Sequence, residues 1–295
     1  SPLADLKAFF GLIKTIKTFK PDVIHTHTAK AGVLGRLASI IAGRGATRIH
    51  TFHGHLLHGY FSGWKTSLVI AIEKFLAKRT HFLVAIGNEV KQDLLSAGIG
   101  SPAQYKVFFP GLPTPHTAGK AELRQKLGLD AAKIYCTFVG RLTQIKRPDR
   151  LLDIASAMQA RGVAIEFLVA GEGELFAQSQ TRAKFENLSV TFLGWRKDID
   201  ALFAASDIAI LTSDNEGIPL TLIQAAQAGL PIIAPKVGSI SDIVENDVTG
   251  YLTAPDAKAM ASALSALVSD SSLRNRFGAA GKSHAHEFFS LDRML

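Results

Sequence analysis

The chain has 295 residues, which is enough for two domains of ordinary size. Its hydrophobic fraction of 47% excludes an intrinsically disordered protein, and its single cysteine excludes an internal disulfide framework. The net charge of +8 is uneven, because residues 1–115 hold 14 Lys and Arg against 5 Asp and Glu. Such a basic half can meet an anionic lipid surface or a charged acceptor, or it can be a solvated face that only aids solubility. No nucleic-acid-binding motif is present, so we expect no nucleic acid partner.

The sequence shows no signal for insertion into a membrane. No apolar run approaches the ~20 residues that a membrane-spanning helix needs, and no signal peptide opens the chain. We therefore expect a cytoplasmic protein whose basic half would allow contact with the inner face of a membrane. The one cysteine, Cys136, lies in an apolar run and is expected to be a buried core residue.

Residues 1–115 alternate between strand and helix patterns, which is typical of parallel sheets. An amphipathic helix is predicted over 6–19. It is followed by strands near 23–28, 48–53, 82–86 and 106–109, with helices near 31–42, 65–78 and 89–97 between them. The proline-rich segment 110–115 breaks this pattern and predicts a linker. We therefore predict a first domain over 1–112 and a second over 113–295.

The second half contains five predicted strands, of which the fourth leads into the most informative segment of the chain. The strands are expected at 135–139, 165–170, 190–193, 208–211 and 231–234. Ser213-Asp-Asn-Glu-Gly-Ile-Pro219 separates the fourth strand from a predicted helix at 220–228, with Pro219 suited to its first turn. This places the Glu216 carboxylate and the amides of Gly217 and Ile218 at the carboxyl edge of a sheet, where open α/β folds bind ligands. A helix N-terminus attracts phosphate and a carboxylate accepts from hydroxyl groups, so the segment predicts a phosphorylated sugar as ligand.

A second loop supports this interpretation. The strand at 135–139 ends in Gly140-Arg141-Leu142, followed by Lys146 and Pro148. Arg141 can make a forked contact with phosphate oxygens, and Lys146 adds a mobile point charge. A helix opening at Pro148 would supply further amides. No Walker sequence is present, so the usual cradle for a nucleoside triphosphate is absent.

Histidines cluster at the ends of two predicted strands. His25 and His27 end one strand, and His53, His55 and His58 follow the next. A His-x-His at a strand end also occurs in metal-dependent hydrolases, where imidazoles share a divalent ion. No matching Asp or Glu motif follows and nothing resembles HExxH, so a metal hydrolase is kept only as an alternative.

Four motifs, in this order and spacing, resemble the retaining glycosyltransferases of family 4. They are Gly140-Arg141-Leu142 with Lys146, then Gly194-Trp195-Arg196-Lys197-Asp198, then Ser213 to Pro219 with Glu216, and finally Ala228-Gly229-Leu230-Pro231. The resemblance extends from Asp22 to about Gly250. It implies an α/β chain with the GT-B fold, in which two Rossmann-like parallel-sheet lobes face a cleft. The first lobe would lie on the acceptor side, and the second would bind the nucleotide sugar.

The beginning of the chain departs from the resemblance. Family members open with a strand and a glycine-rich loop, whereas here the predicted helix over 6–19 leads directly into Pro21-Asp22. A βαβ unit takes about 30 residues or more, and at least one such unit is not found. We therefore expect an incomplete first lobe and a fragment of a longer protein. A natural shorter protein is the alternative, and it would leave the first sheet with an exposed edge.

The resemblance also implies roles for four catalytic residues. Arg141 and Lys146 would neutralise the departing diphosphate, and this preorganised positive potential would lower the barrier as charge separates. Glu216 would orient the donor sugar through its hydroxyl groups. His53 would contact the sugar from the other lobe, whereas His55 and His58 are as readily assigned to a loop surface or to the rim of the acceptor site.

Further positions are implied to bind the substrate. They are Gly140, Gly217, Ile218, Pro219, Gln224, Trp195 and Arg196. Backbone atoms at Trp195 and Arg196 would meet the base edge of the nucleotide. Asp198 fits a helix cap at least as well as a ligand contact. Gly171-Glu172-Gly173 predicts tight backbone packing after a strand.

Gln224 is the clearest departure within the second half. The family pattern has a second glutamate eight positions after the first, where it holds the ribose, but this chain has an amide. An amide oxygen still accepts from a hydroxyl group, although losing the charge-assisted bond costs about 1 kcal/mol. We therefore expect nucleotide binding to be weakened rather than abolished. The same residue motivates an alternative, a catalytically impaired binding or regulatory subunit.

The expected reaction is hexosyl transfer with retained anomeric configuration. The donor would be a nucleotide diphosphate sugar, for which we expect UDP, and the acceptor a saccharide or a lipid-linked saccharide. The product would belong to surface polysaccharide or glycolipid synthesis. We expect no cofactor and no metal, because two cationic side chains supply the positive charge that a divalent ion would provide.

Overall fold

The computed structural model describes residues 2–43, 45–54, 63–115 and 118–294. The chain divides into two units, Ser1–Phe109 and Pro110–Leu295. Our predicted boundary after Leu112 lies three residues later than this division. The difference arises because the backbone N–H of Leu112 donates to the carbonyl of Phe289, which ties this residue to the second unit. His55 and His58 lie outside the described residues.

The first unit is built on a four-stranded parallel sheet in the order β1-β2-β3-β4. Its elements are α1 (Pro2–Phe19), β1 (Val23–His27), α2 (Ala29–Ala42), β2 (Thr47–Phe52), α3 (Trp64–Ala77), β3 (Phe82–Ala85), α4 (Asn88–Ser96) and β4 (Tyr105–Val107). The four predicted strands are present, with ends shifted by at most two residues. Within the described residues β1 is an edge strand, and its side chains are more exposed than those of β2 and β3.

The second unit has a six-stranded parallel sheet in the order β10-β9-β8-β5-β6-β7. Its elements are α5 (Lys120–Leu127), β5 (Tyr135–Val139), α6 (Pro148–Ala160), β6 (Glu166–Ala170), α7 (Phe176–Phe185), β7 (Val190–Gly194), α8 (Ile199–Ala205), β8 (Ile208–Ile210), α9 (Leu220–Gln227), β9 (Ile232–Pro235), β10 (Gly250–Thr253), α10 (Ala257–Ser269), α11 (Ser271–Phe289) and α12 (Leu291–Met294). The sequence does not predict β10, because the strand has only four residues and begins with a glycine, which is depleted in strands.

The order of this sheet determines where a ligand can bind. The chain adds strands on one side of β5 with β6 and β7, and on its other side with β8, β9 and β10. The strand order therefore reverses between β5 and β8, and ligands of open α/β sheets bind beyond the carboxyl ends of strands at such a reversal. The two predicted phosphate-facing loops follow β5 and β8. All residues of β8 and β9 and four of the five in β5 are buried, as expected for central strands covered on both faces.

The core of the first unit contains a sealed ion pair. Arg36 on α2 donates from Nη2 to both carboxylate oxygens of Glu73 on α3, at 2.7 and 2.8 Å, and from Nε to the carbonyl of Gly32. Both charged side chains are only 1% exposed. Burial raises the pKa of Glu73, and Arg36 opposes that shift. This pair joins two helices and is out of reach of a dissolved ligand.

Candidate active site

Two loops of the second unit are held together where the strand order reverses. We name residues 140–147 the cation loop and residues 211–219 the acidic loop. The backbone N–H of Asp214 donates to the carbonyl of Ile145 at 2.9 Å, and the hydroxyl of Thr212 donates to the carbonyl of Lys146 at 2.8 Å. These bonds fix the backbones of the two loops against each other, although they are almost 70 residues apart in the chain.

Lys146 and Glu216 meet across these loops. The ammonium of Lys146 donates to Oε1 of Glu216, and the hydroxyl of Ser213 donates to the same oxygen at 2.6 Å. The side chains of Lys146 and Glu216 are 20% and 9% exposed, so the pair is shielded yet open to a ligand. Two of the predicted catalytic residues are therefore brought together by the fold.

Arg141 lies on the same cation loop with its side chain exposed. Among the described residues, no hydrogen bond or ion pair holds its guanidinium. The cation loop packs closely against Gly171 at its first residue, Gly140. The φ of Gly171 is +137°. A Cβ atom there would lie 2.0 Å from the carbonyl oxygen of Gly140, so only glycine fits. The tight backbone packing predicted at Gly171 is confirmed.

A second charge network braces the loops, and the sequence analysis does not predict it. Arg150 of α6 donates to the carbonyl of Thr212 at 2.5 Å and to the carboxylate of Asp214 at 2.6 Å. Arg147 reaches the other oxygen of Asp214 at 3.1 Å and also pairs with Asp149, where it lowers the pKa of that carboxyl. The only sequence signal is the placement of two arginines on either side of Pro148. These bonds hold the acidic loop in register with α6.

The end of the acidic loop leads into α9. Pro219 occupies the position just before the helix, which begins at Leu220 rather than at the proline. Ile218 is buried. Within the described part of the chain, no acceptor engages the backbone N–H of Gly217 or Ile218, so both amides are available at the start of a helix, where anions are stabilised.

The segment after β7 carries Trp195 and Arg196. The indole of Trp195 is 65% exposed, and the ammonium of Lys197 lies 5.6 Å from the ring centre. Arg196 makes a forked pair with the carboxylate of Asp198, which lowers the pKa of that carboxyl. Asp198 stands at the cap position of α8, as the sequence indicates, but its side chain bonds Arg196 rather than a helix N–H.

Gln224 lies in the middle of α9 and is half-buried. Its amide Nε2 donates to Oδ1 of Asp200 in the first turn of α8, at 3.1 Å. This acidic partner is not predicted from the sequence.

Three histidines stack beside the carboxyl ends of β1 and β2 in the first unit. Nε2 of His25 lies 2.8 Å from the hydroxyl of Thr51, and Nδ1 of His27 lies 2.9 Å from Nε2 of His53. The rings of His25 and His27 are 4.2 Å apart, and those of His27 and His53 are 5.2 Å apart. Burial and the neighbouring imidazoles lower the pKa of His25 and His53, so both remain neutral hydrogen-bonding groups at pH 7.

These imidazoles do not form a metal site by their geometry. In the parts of the chain that the structure describes, no group of three or more His, Cys, Asp or Glu side chains is arranged to hold a metal ion. His53 belongs to the first unit, whereas Arg141, Lys146 and Glu216 belong to the second.

In the described ranges, no helix is long and apolar enough to span a bilayer.

Comparison with known proteins gives matches along nearly the whole chain. The model of the family "Glycosyl transferases group 1" matches residues 119–284, and that of "Glycosyltransferase Family 4" matches residues 1–114. The UDP-Gal:alpha-D-GlcNAc-diphosphoundecaprenol alpha-1,3-galactosyltransferase of Escherichia coli is 32% identical over 265 residues, which cover 85% of this chain and 67% of that protein. The putative glycosyltransferase EpsD of Bacillus subtilis is 27% identical over 298 residues, covering 96% of this chain and 77% of EpsD.

Solved structures show the same architecture. The crystal structure of HepE from Anabaena in complex with UDP superimposes with a TM-score of 0.84 at 25% identity, covering 97% of this chain and 79% of HepE. A sucrose-phosphate synthase from Thermosynechococcus elongatus reaches a TM-score of 0.81 at 20% identity, covering 98% of this chain and 76% of that protein. Two parallel-sheet α/β lobes of the GT-B type are therefore shown for this chain.

Proposed function

Because the chain belongs to the group 1 glycosyl transferases and is a hexosyltransferase of the GT-B fold, we propose that it moves a hexose from a UDP-sugar to a saccharide or lipid-linked acceptor with retention of configuration. The observation that carries this proposal is the Lys146–Glu216 pair at the reversal of strand order, which joins the acidic loop to the cation loop. Arg141 lies on the cation loop as well, and no described residue pairs with its guanidinium. The printed names of the relatives support the choice of substrates. The Escherichia coli enzyme is described as using UDP-Gal and a diphosphoundecaprenol-linked sugar, and HepE was crystallised with UDP.

The diphosphate would bind between the cation loop and the start of α9. The Lys146 side chain would turn away from Glu216, so that its ammonium donates to a phosphate oxygen. Arg141 would add a forked contact to the phosphate. The N–H groups of Gly217 and Ile218 would complete the site. The backbones of the two loops are tied together before the donor binds. The cations and amides that these loops carry would stabilise the negative charge that appears on the diphosphate as the sugar leaves.

The sugar would be held by Glu216. Once Lys146 turns to the diphosphate, the carboxylate keeps the hydrogen bond from Ser213 and has acceptor capacity for sugar hydroxyl groups. His53 would supply a neutral imidazole toward the same sugar from the first unit. A neutral ring can donate to or accept from a hydroxyl group without competing for the diphosphate.

Retention would follow from attack on the face that the diphosphate leaves. The acceptor hydroxyl would form the new bond to the anomeric carbon as the bond to the diphosphate oxygen breaks, and its proton would pass to that departing diphosphate. Lys146 and Arg141 would stabilise the negative charge of the departing diphosphate, so we propose that neither a metal ion nor another cofactor is needed.

We further propose that the protein works at an anionic membrane surface, where a lipid-linked acceptor is found. Leu3, Leu6 and Phe10 recur at helical spacing on α1 and are exposed, and Lys7 and Lys14 lie next to them. An apolar stripe beside lysines is typical of helices that bind the interface of anionic bilayers. Co-sedimentation should show binding to vesicles that contain phosphatidylglycerol, lost at high salt. Equal binding to pure phosphatidylcholine would contradict this part of the proposal.

A donor panel tests the reaction itself. The protein is incubated with UDP-, GDP- and ADP-hexoses and with a diphosphate-linked lipid saccharide, and nucleotide release and the anomeric configuration of the product are measured. We expect turnover with a UDP-hexose and an α-product from an α-donor. An inverted product would refute retention. Tight UDP binding without transfer to any acceptor would instead favour the impaired binding subunit that Gln224 suggests.

A further inference from the structure

Gln224 stands where a carboxylate is expected, and a carboxylate lies directly behind it. Asp200 opens α8, and its Oδ1 accepts from Nε2 of Gln224 at 3.1 Å. An ionised carboxylate can only accept hydrogen bonds. The contact therefore commits Nε2 of the amide to Asp200 and leaves Oε1 as its acceptor. The orientation of this amide follows from the chemistry of its partner.

The position of the pair suits the ribose of a nucleotide. Asp200 follows the segment of Trp195 and Arg196, which we expect at the nucleobase, by only a few residues. Gln224 is the fifth residue of α9, the helix that directly follows the acidic loop, which we expect at the diphosphate. The ribose links the base to the diphosphate, and its hydroxyl groups need acceptors. The Oε1 atom of Gln224 is such an acceptor.

We propose that Asp200 is a positioning residue that orients Gln224 so that Oε1 accepts from the ribose hydroxyl groups of the donor. The negative charge at this site then belongs to Asp200, which lies behind the amide. Because Nε2 of Gln224 donates to this carboxylate, Oε1 of the same amide becomes a stronger acceptor. This inference rests on the proposed function. It also gives a reason for the amide at this position, because a glutamate at position 224 would face the carboxylate of Asp200 at hydrogen-bond distance.

A merely structural contact between α8 and α9 would have a different signature. Losing it would weaken the binding of every nucleotide alike, together with the thermal stability of the fold. Loss of ribose positioning changes instead the ratio of the dissociation constants of UDP and of 2′,3′-dideoxy-UDP, which lacks the hydroxyl groups. That ratio is the measurement that separates the two roles.

The first experiment compares both nucleotides by calorimetry on the wild-type protein and on Asp200→Ala. We expect the preference for UDP over the dideoxy nucleotide to fall by about threefold to tenfold, which corresponds to one hydrogen bond. The control is Asp153→Ala, which removes a carboxylate that accepts from Arg182 on another pair of helices and should leave the ratio unchanged. An unchanged ratio in Asp200→Ala would overturn the proposal.

The second experiment exchanges the two groups. Gln224→Glu alone should weaken UDP binding by about tenfold, because repulsion from Asp200 would turn the new carboxylate out of the position in which it accepts from the ribose, a loss of about one hydrogen bond. Adding Asp200→Asn should restore affinity to within about twofold of the wild type, since the amide introduced on α8 can then donate to the new carboxylate. Additive losses in the double variant would overturn the proposal. Failure of the wild-type protein to bind UDP would overturn the proposed function as well, which distinguishes the two failures.

Discussion

Each unit holds a cation–carboxylate pair, and the two pairs differ in what surrounds them. Arg36 and Glu73 in the first unit are both 1% exposed, whereas Lys146 and Glu216 in the second are 20% and 9% exposed. The first pair joins two helices, and neither of its charges can turn to a ligand. The second joins two loops where the strand order reverses. A cation–carboxylate pair thus stabilises the fold when it is fully buried, and it can bind a ligand when one of its two charges is free to change partner.

The sealed pair should give the largest effect on stability. Arg36→Met leaves the Glu73 carboxylate buried without its partner, so we expect the free energy of unfolding to fall by about 3–5 kcal/mol. Urea unfolding followed by circular dichroism measures this. The matched double variant Arg36→Met/Glu73→Leu removes both charges and should recover most of the loss. A single variant as stable as the wild type would show that the pair is dispensable.

The exposed pair should affect turnover instead. Lys146→Ala removes the charge that we assign to the diphosphate, and we expect turnover to fall by about a hundredfold or more. The loss of stability should be smaller than that of Arg36→Met, because Glu216 keeps the hydrogen bond from Ser213 and the pair is less buried. Lys184→Ala, on α7, is the control for loss of one positive charge. Near-normal transfer by Lys146→Ala would show that this residue does not bind the diphosphate. It would then contradict the functional difference between the two pairs.

A smaller effect concerns a neutral group next to the sealed pair. His50 is buried against Gly32, and its Nδ1 lies 2.9 Å from the hydroxyl of Thr26. Burial, and then Arg36, lower its pKa from 6.5 to about 2. His50 is therefore protonated near pH 6.5 in the unfolded chain but stays neutral at that pH in the folded chain. The stabilising contribution is complete above this pH and is lost as the pH falls below it.

Between pH 6.5 and 5 we expect His50 to lower the unfolding free energy by up to about 1.4 kcal/mol per pH unit. Urea titrations at several pH values measure this slope. His50→Gln should reduce the slope by about one proton. Equal slopes in the wild type and His50→Gln would mean that this histidine is protonated in the fold.

The smallest expected effect is that of chelation. If the two cations of the cation loop do the work of a divalent ion, EDTA should leave the transfer rate unchanged. Activity lost with EDTA and recovered with zinc would instead show that transfer depends on a metal ion.

The elements of both sheets were largely predictable, and the contacts between their loops were not. Nearly continuous apolar runs mark β5 and β8 because central parallel strands are buried on both faces, and Pro148 marks the first residue of α6. The Lys146–Glu216 bond joins residues 70 positions apart, and its existence depends on the strand order, which periodicity does not encode. The same holds for Asp200 and Gln224 on neighbouring helices. Motif spacing could identify Glu216, but no local signal indicates which side chain it binds.

Cys136 offers a practical route to observing the two units. It is the sole cysteine, lies fully buried in β5, and burial raises its pKa well above the ordinary thiol range. A thiol in this state reacts poorly with labelling reagents. One new cysteine on the surface of each unit could therefore carry a spin label or a fluorophore in an otherwise natural background. The separation of the labels, measured before and after a nucleotide sugar is added, would show whether the distance between the units changes on binding.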